Sequence, residues 1–299
     1  MKTSPKMPLV IAWLVVVLAS LLPRVILQEV FHLTVTLEQQ QMMALGVILA
    51  ALLAALLWKP LSGLRPFLIF FAVWVIVQWA VYNHLDTLPV FRRWLRDPSF
   101  GVSMLAEQLL HLVIVVVVIA ALLLLGKRPR EFYLALGDLS APAERVRWLG
   151  IDQGTPWSKL GIILSVCISL GTLTFLVLAG QPSADIVVRA LPFLPAVLLA
   201  AALNSFYEEM SYKAAFLSVL EGPVGMRQAV YMVAFYFGVA HFYGVPYGLI
   251  GVVLAGFLGW ILAKSMQETR GLFWAWFIHF LQDVWIFAFM ALGSITPGG

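Results

Sequence analysis

Apolar residues fall along this chain in long runs broken by short polar intervals, near 9–27, 42–58, 66–82, 104–126, 160–180, 192–220, 226–243, 246–263 and 272–292. A run of roughly 18 or more such residues is long enough to cross the hydrocarbon core as a helix. The pattern predicts an all-α polytopic membrane protein with about nine transmembrane helices. The first run follows Lys2 and Lys6 and holds Ala19 and Ser20, as a signal peptide would, but it has no A-x-A cleavage site and reads as a retained helix.

Composition excludes the main alternative. Of 299 residues, 62% are apolar and 11% charged, which no soluble single-core architecture matches. The net charge of +4 comes from basic residues scattered between spans, so no nucleic-acid partner is expected and the bilayer is the expected one. The only cysteine, Cys167, lies inside the fifth run, which excludes an intrachain disulfide.

Charge also orients the chain, because cytoplasmic loops carry the excess of Lys and Arg. With the N-terminus in the cytoplasm, fourteen basic residues fall inside and five outside. The interval FRRWLRDP, with Arg92, Arg93 and Arg96, runs against this assignment. Residues 127–159 form the longest polar interval and read as a cytoplasmic linker, lying on anionic headgroups or solvated. They separate a four-span region, 1–126, from a second membrane region, 160–292. Inside the spans of the first half Gln78, Glu107 and His111 are the candidates for polar chemistry, and Glu107 and His111, four apart, can pair on one helix face.

The second half is different. Glu208, Glu209, Lys213, His241, His279 and Asp283 all fall inside its apolar runs, and an intramembrane ionisable group must find a partner or a wet cavity. Glu209 and Lys213 are i, i+4 with the acid first, the favoured order for a helical ion pair. Glu208 is rotated by about 100° on the same helix, so its partner is expected from another span. His279 and Asp283 are again i, i+4, and Phe237 precedes His241 by the same distance. With a rise of about 1.5 Å per residue, these groups lie within one layer about 12 Å thick. They are therefore expected to line a common polar cavity in a C-terminal helical bundle.

EEMSYK, FGVAH and HFLQD, in that order, resemble the EExxxR, FxxxH and HxxxN or HxxxD motifs of the CPBP family, the CAAX prenyl proteases and bacteriocin-processing or immunity proteins also called Abi. The resemblance covers roughly 160–292. It implies an intramembrane endopeptidase in which Glu208 activates water together with His241. His279 and Asp283 hold the developing oxyanion or complete a zinc site, and Glu209 pairs with the basic residue of its motif.

Two positions depart from the pattern. Lys213 stands where arginine is usual and lacks its planar fork. Asp283 stands where asparagine is commoner, and an ionised aspartate only accepts hydrogen bonds, so it would repel an oxyanion. Asp283 must then be protonated, orient His279, or bind metal. Zinc takes His and carboxylate ligands with one position left for water, so Glu208, His241, His279 and Asp283 are also candidate metal ligands, and no cofactor or zinc are both open.

The expected substrate is a peptide bond near the C-terminus of a lipidated or membrane-anchored protein or peptide, and the expected location is a bacterial inner membrane. Two rival readings stay open. A proton- or ion-coupled transporter also uses midplane carboxylates and histidines, although the sequence lacks an inverted repeat and matching Gly/Pro-broken spans. A non-catalytic immunity or scaffold protein is the other, kept open by Lys213 and Asp283.

Overall fold

Helix carries most of residues 6–295, the part of the chain that this computed structural model describes, and among them the only β pairing is two isolated bridges inside the linker. Lys2, counted above with the cytoplasmic charges, lies outside the described residues. In chain order the α-helices are α1 (Lys6–Ala19), α2 (Leu22–Val25), α3 (Leu37–Leu57), α4 (Arg65–Ala80), α5 (Pro89–Leu95), α6 (Phe100–Leu124) and α7 (Trp157–Gly180). They continue as α8 (Ala184–Ala190), α9 (Leu194–Glu208), α10 (Ala215–Val224), α11 (Met226–Ala240), α12 (Leu249–Thr269) and α13 (Phe273–Gly293).

Local chemistry sets several of these boundaries. Thr36 caps α3 by accepting from the Gln39 backbone N–H, while the Gln39 side chain accepts from Thr36 N, a reciprocal capping box. Pro195 sits in the first turn of α9, where its missing N–H has no helical partner to lose. Gly225, at φ +83°, ends α10 and lets α11 begin at once.

Seven described helical segments are long and apolar enough to cross a membrane, or eight if the pair Met7–Ala19 and Leu22–Val30, bent by 49°, is one span. This differs from the nine runs of the sequence. The run at 226–243 yields α11, only 15 residues long and about 22 Å, because the chain leaves the helix at His241 and turns through Gly244, Pro246 and Gly248. Burial fits an integral membrane protein: only 6% of the most apolar stretch of α7 is buried, an exposure that hydrocarbon tolerates and water does not.

The two halves share one core. Phe70, Phe71 and Trp74 of α4 pack edge-on around Phe216 of α10 at 5.0–6.1 Å between ring centroids. α13 lies against both α7 and α9, and α11 lies along α12. The last crossing is very close, since a Cβ on Gly238 would stand 2.7 Å from Val252 O and 2.8 Å from Gly256 Cα. Small residues at such crossings let backbones meet.

The linker is neither solvated nor spread on headgroups along its whole length. Ala141, Ala143, Val146, Ile151 and Trp157 form a small buried core with Trp274 of α13. Polar bonds fasten it: Asp138 N donates to Thr269 O at 2.8 Å, and Leu272 N donates to Ala135 O at 2.9 Å. Glu268 on α12 accepts from Trp157 Nε1 at 2.7 Å, from Glu144 N at 3.1 Å and from Lys264.

Candidate functional site

Glu208 ends α9, and the next six residues, Glu209–Ala214, form a π-helical turn before α10 resumes the α-helix. The wider turn changes the angular offset that an unbroken α-helix would give these side chains, and such insertions are common at functional sites. Glu209 and Lys213 still pair, Nζ to Oε1 at 2.7 Å, with both side chains fully buried. The Lys213 ammonium also lies 3.3 Å from the Phe237 ring centroid, so the first residue of FGVAH covers the cation of EEMSYK.

His279 joins the same group from α13. Its Nδ1 lies 2.7 Å from Glu209 Oε1, the oxygen that also accepts from Lys213. A carboxylate only accepts, so that nitrogen carries the proton. Its other nitrogen, Nε2, faces Glu208 Oε2 at 3.6 Å and Asp283 Oδ1 at 3.5 Å. Glu208, His279 and Asp283 are thus brought together from α9 and α13, and their side chains are 19%, 6% and 5% exposed.

His241 caps the end of α11. Its Nδ1 is 2.8 Å from Phe237 O, a carbonyl that can only accept, so Nδ1 donates and Nε2 is left as the free nitrogen. Phe237 separates His241 from His279, with ring centroids 4.4 Å and 6.2 Å away.

Asn204 was not among the expected site residues. Its Nδ2 lies 3.2 Å from Glu208 Oε1 and 3.1 Å from Asp283 Oδ2. The expectation that Glu208 has no partner within its own span is therefore corrected. The signal was present, because Asn204 precedes Glu208 by four residues, the spacing that marked the other pairs.

The N-terminal half also approaches the site. Gln78 of α4 donates to Tyr207 OH at 3.1 Å, and the His111 ring of α6 stacks on Tyr207 at 4.1 Å. His111 bonds Gln108 Oε1 at 3.2 Å instead of pairing with Glu107.

Among the described residues, no three of His, Cys, Asp or Glu are arranged to hold a metal ion. The Asn204 amide donates to one oxygen of each of Glu208 and Asp283 and competes with a cation for those lone pairs. As placed, the four candidate ligands do not fit zinc. An apolar groove of about 540 Å³ runs beside α9 and α13, bounded by Leu136 of the linker, Leu203, Phe206, Phe273 and Trp276, and none of the expected site residues lines it.

Residues 190–285 match the family model described as Type II CAAX prenyl endopeptidase Rce1-like. No curated protein and no solved structure matches the chain. EEMSYK, FGVAH and HFLQD all lie inside the matched segment; Glu209 and Lys213, Phe237, and His279 of these motifs meet in one buried cluster, and His241 stands on the other side of Phe237. Over those residues, about a third of the chain, the C-terminal bundle is similar to the type II CAAX prenyl endopeptidases of the CPBP family.

Proposed function

We propose that the chain is an intramembrane endopeptidase that uses Glu208 and His241 to activate water. One observation carries this reading. Glu208 Oε2 is buried and makes no hydrogen bond to the protein, while Oε1 is tied to Asn204. A buried carboxylate oxygen without a donor is costly, and here it points into the group formed by His279 and Asp283. It is placed to take a proton from a water that attacks a peptide carbonyl.

The chemistry then follows. Water adds to the scissile carbon as its proton passes to Glu208 Oε2, and the carbonyl oxygen becomes an oxyanion. His241 presents a free Nε2 that shares in moving this proton. His279 in its imidazolium form offers Nε2–H to the oxyanion, the kind of preorganised donor that contributes most to catalysis. The tetrahedral intermediate collapses, the C–N bond breaks, and the leaving amine takes the proton back.

Glu209 holds His279, and Lys213 balances the charge of Glu209. The substrate is a peptide bond near the C-terminus of a lipidated or membrane-anchored chain, the class named in the matched family. The protein lies in a bacterial inner membrane with its N-terminus in the cytoplasm. The test is direct. Reconstituted in lipid, the wild type should cut a farnesylated, internally quenched peptide ending in a CAAX sequence, and Glu208→Gln and His241→Ala should not. Equal cutting by wild type and both folded variants refutes the proposal.

A further inference from the structure

The two carboxylates at the centre of the site share the same two neighbours. Glu208 gives Oε1 to Asn204 and turns Oε2 toward His279, and Asp283 gives Oδ2 to Asn204 and turns Oδ1 toward His279. The four side chains therefore close a ring, with Asn204 on one side and the imidazole on the other. Only the nitrogen end of the Asn204 carboxamide suits this place, because both partners are acceptors and its two N–H groups supply one bond to each.

We infer that Asn204 is a positioning residue of the hydrolytic site, an inference that rests on the endopeptidase reading. By tying Oε1 it fixes the plane of the Glu208 carboxylate and leaves Oε2 as the oxygen that takes the proton. By tying Oδ2 it holds Asp283 beside His279 and screens two acids from each other. It thereby supplies, from α9, a carboxamide donor next to the position where HFLQD ends in an acid. A fixed rotamer at a reacting group lowers the reorganisation needed at the moment of reaction.

The groups facing Asn204 are Glu208 on its own helix and Asp283 on α13, with His279 beside both and Glu209 and Lys213 behind it. Replacing the amide with a carboxyl of the same shape puts a third acid among them. That acid can donate only when it carries a proton.

The experiment compares wild type, Asn204→Ala, Asn204→Asp and Glu208→Gln as full-length protein in lipid, with thermal unfolding recorded for each. The probe is the quenched farnesylated CAAX peptide, and kcat, KM and the pH profile are read. Asn204→Ala should lower kcat by roughly tenfold to a hundredfold, the usual effect of losing a group that orients a reacting residue, with KM unchanged. Asn204→Asp should be slower still at neutral pH and recover toward acid, which a purely structural role would not produce. If both Asn204 variants keep the wild-type kcat and pH profile while Glu208→Gln is inactive, the role of Asn204 is refuted and the endopeptidase reading stands. If Glu208→Gln cuts as fast as wild type, the endopeptidase reading fails and this inference fails with it.

Discussion

His279 Nδ1 stands 2.7 Å from Glu209 Oε1, so the second glutamate of EEMSYK holds the histidine of a helix 70 residues further on. The same oxygen accepts from Lys213, so one buried atom holds both the cation and the imidazole. Replacing Glu209 by Ala leaves the Lys213 ammonium buried without a counter-charge. The expected loss is about 3–5 kcal/mol of stability, together with loss of peptide cutting. Thermal unfolding in detergent and cleavage of the quenched peptide read the two effects separately.

Lys213→Met isolates the other side of the pair. It removes the cation and leaves Glu209 buried with only His279 as partner. Stability should fall by a similar amount, about 3–5 kcal/mol. The double variant Glu209→Gln with Lys213→Met should regain part of it, because no unpaired charge is left inside. A double-mutant cycle on unfolding midpoints measures that coupling.

The crossing of α11 over α12 sets where His241 stands. A methyl group on Gly238 meets backbone atoms, which cannot swing aside as a side chain can. Gly238→Ala should therefore cost about 1–3 kcal/mol and displace His241, three residues further along, so that peptide cutting falls more than stability alone explains. A folded Gly238→Ala protein with the wild-type rate would contradict this.

Glu268 is the main polar anchor of the linker on α12, through Trp157, Glu144 and Lys264. Arg145 and Arg147 are already exposed, and Glu268→Ala should loosen the linker around them so that trypsin can bind it in an extended form. Limited proteolysis followed by mass analysis should show faster cutting at 145–147 than in the wild type, with the helices left intact.

The long apolar helices were legible because hydrocarbon imposes one length on every span, and the clustering of Glu208, Glu209, His279 and Asp283 was legible because charges in apolar runs are conspicuous. What could not be read depended on backbone detail. The run at 226–243 looked like a full span, since its apolar residues continue past Ala240, where the helix ends. The π-helical turn at Glu209–Ala214 has no sequence marker, so strict α-helical geometry could not be assumed for Glu208 and its neighbours. Asn204 was passed over because an amide is unremarkable until two carboxylates are seen to converge on it. The linker hid its core because Ala141, Ala143, Val146 and Trp157 are too dispersed to form a periodic pattern.

The most direct measurement compares cells carrying wild type and Glu208→Gln at equal membrane expression, with the C-termini and masses of membrane and secreted proteins read by mass spectrometry. At least one peptide cut should disappear with the variant and return with the wild type, and the lost product names the substrate. If every cut persists while the Glu208→Gln protein is folded and present, Glu208 is not the base that activates water. The transporter and scaffold readings then take precedence.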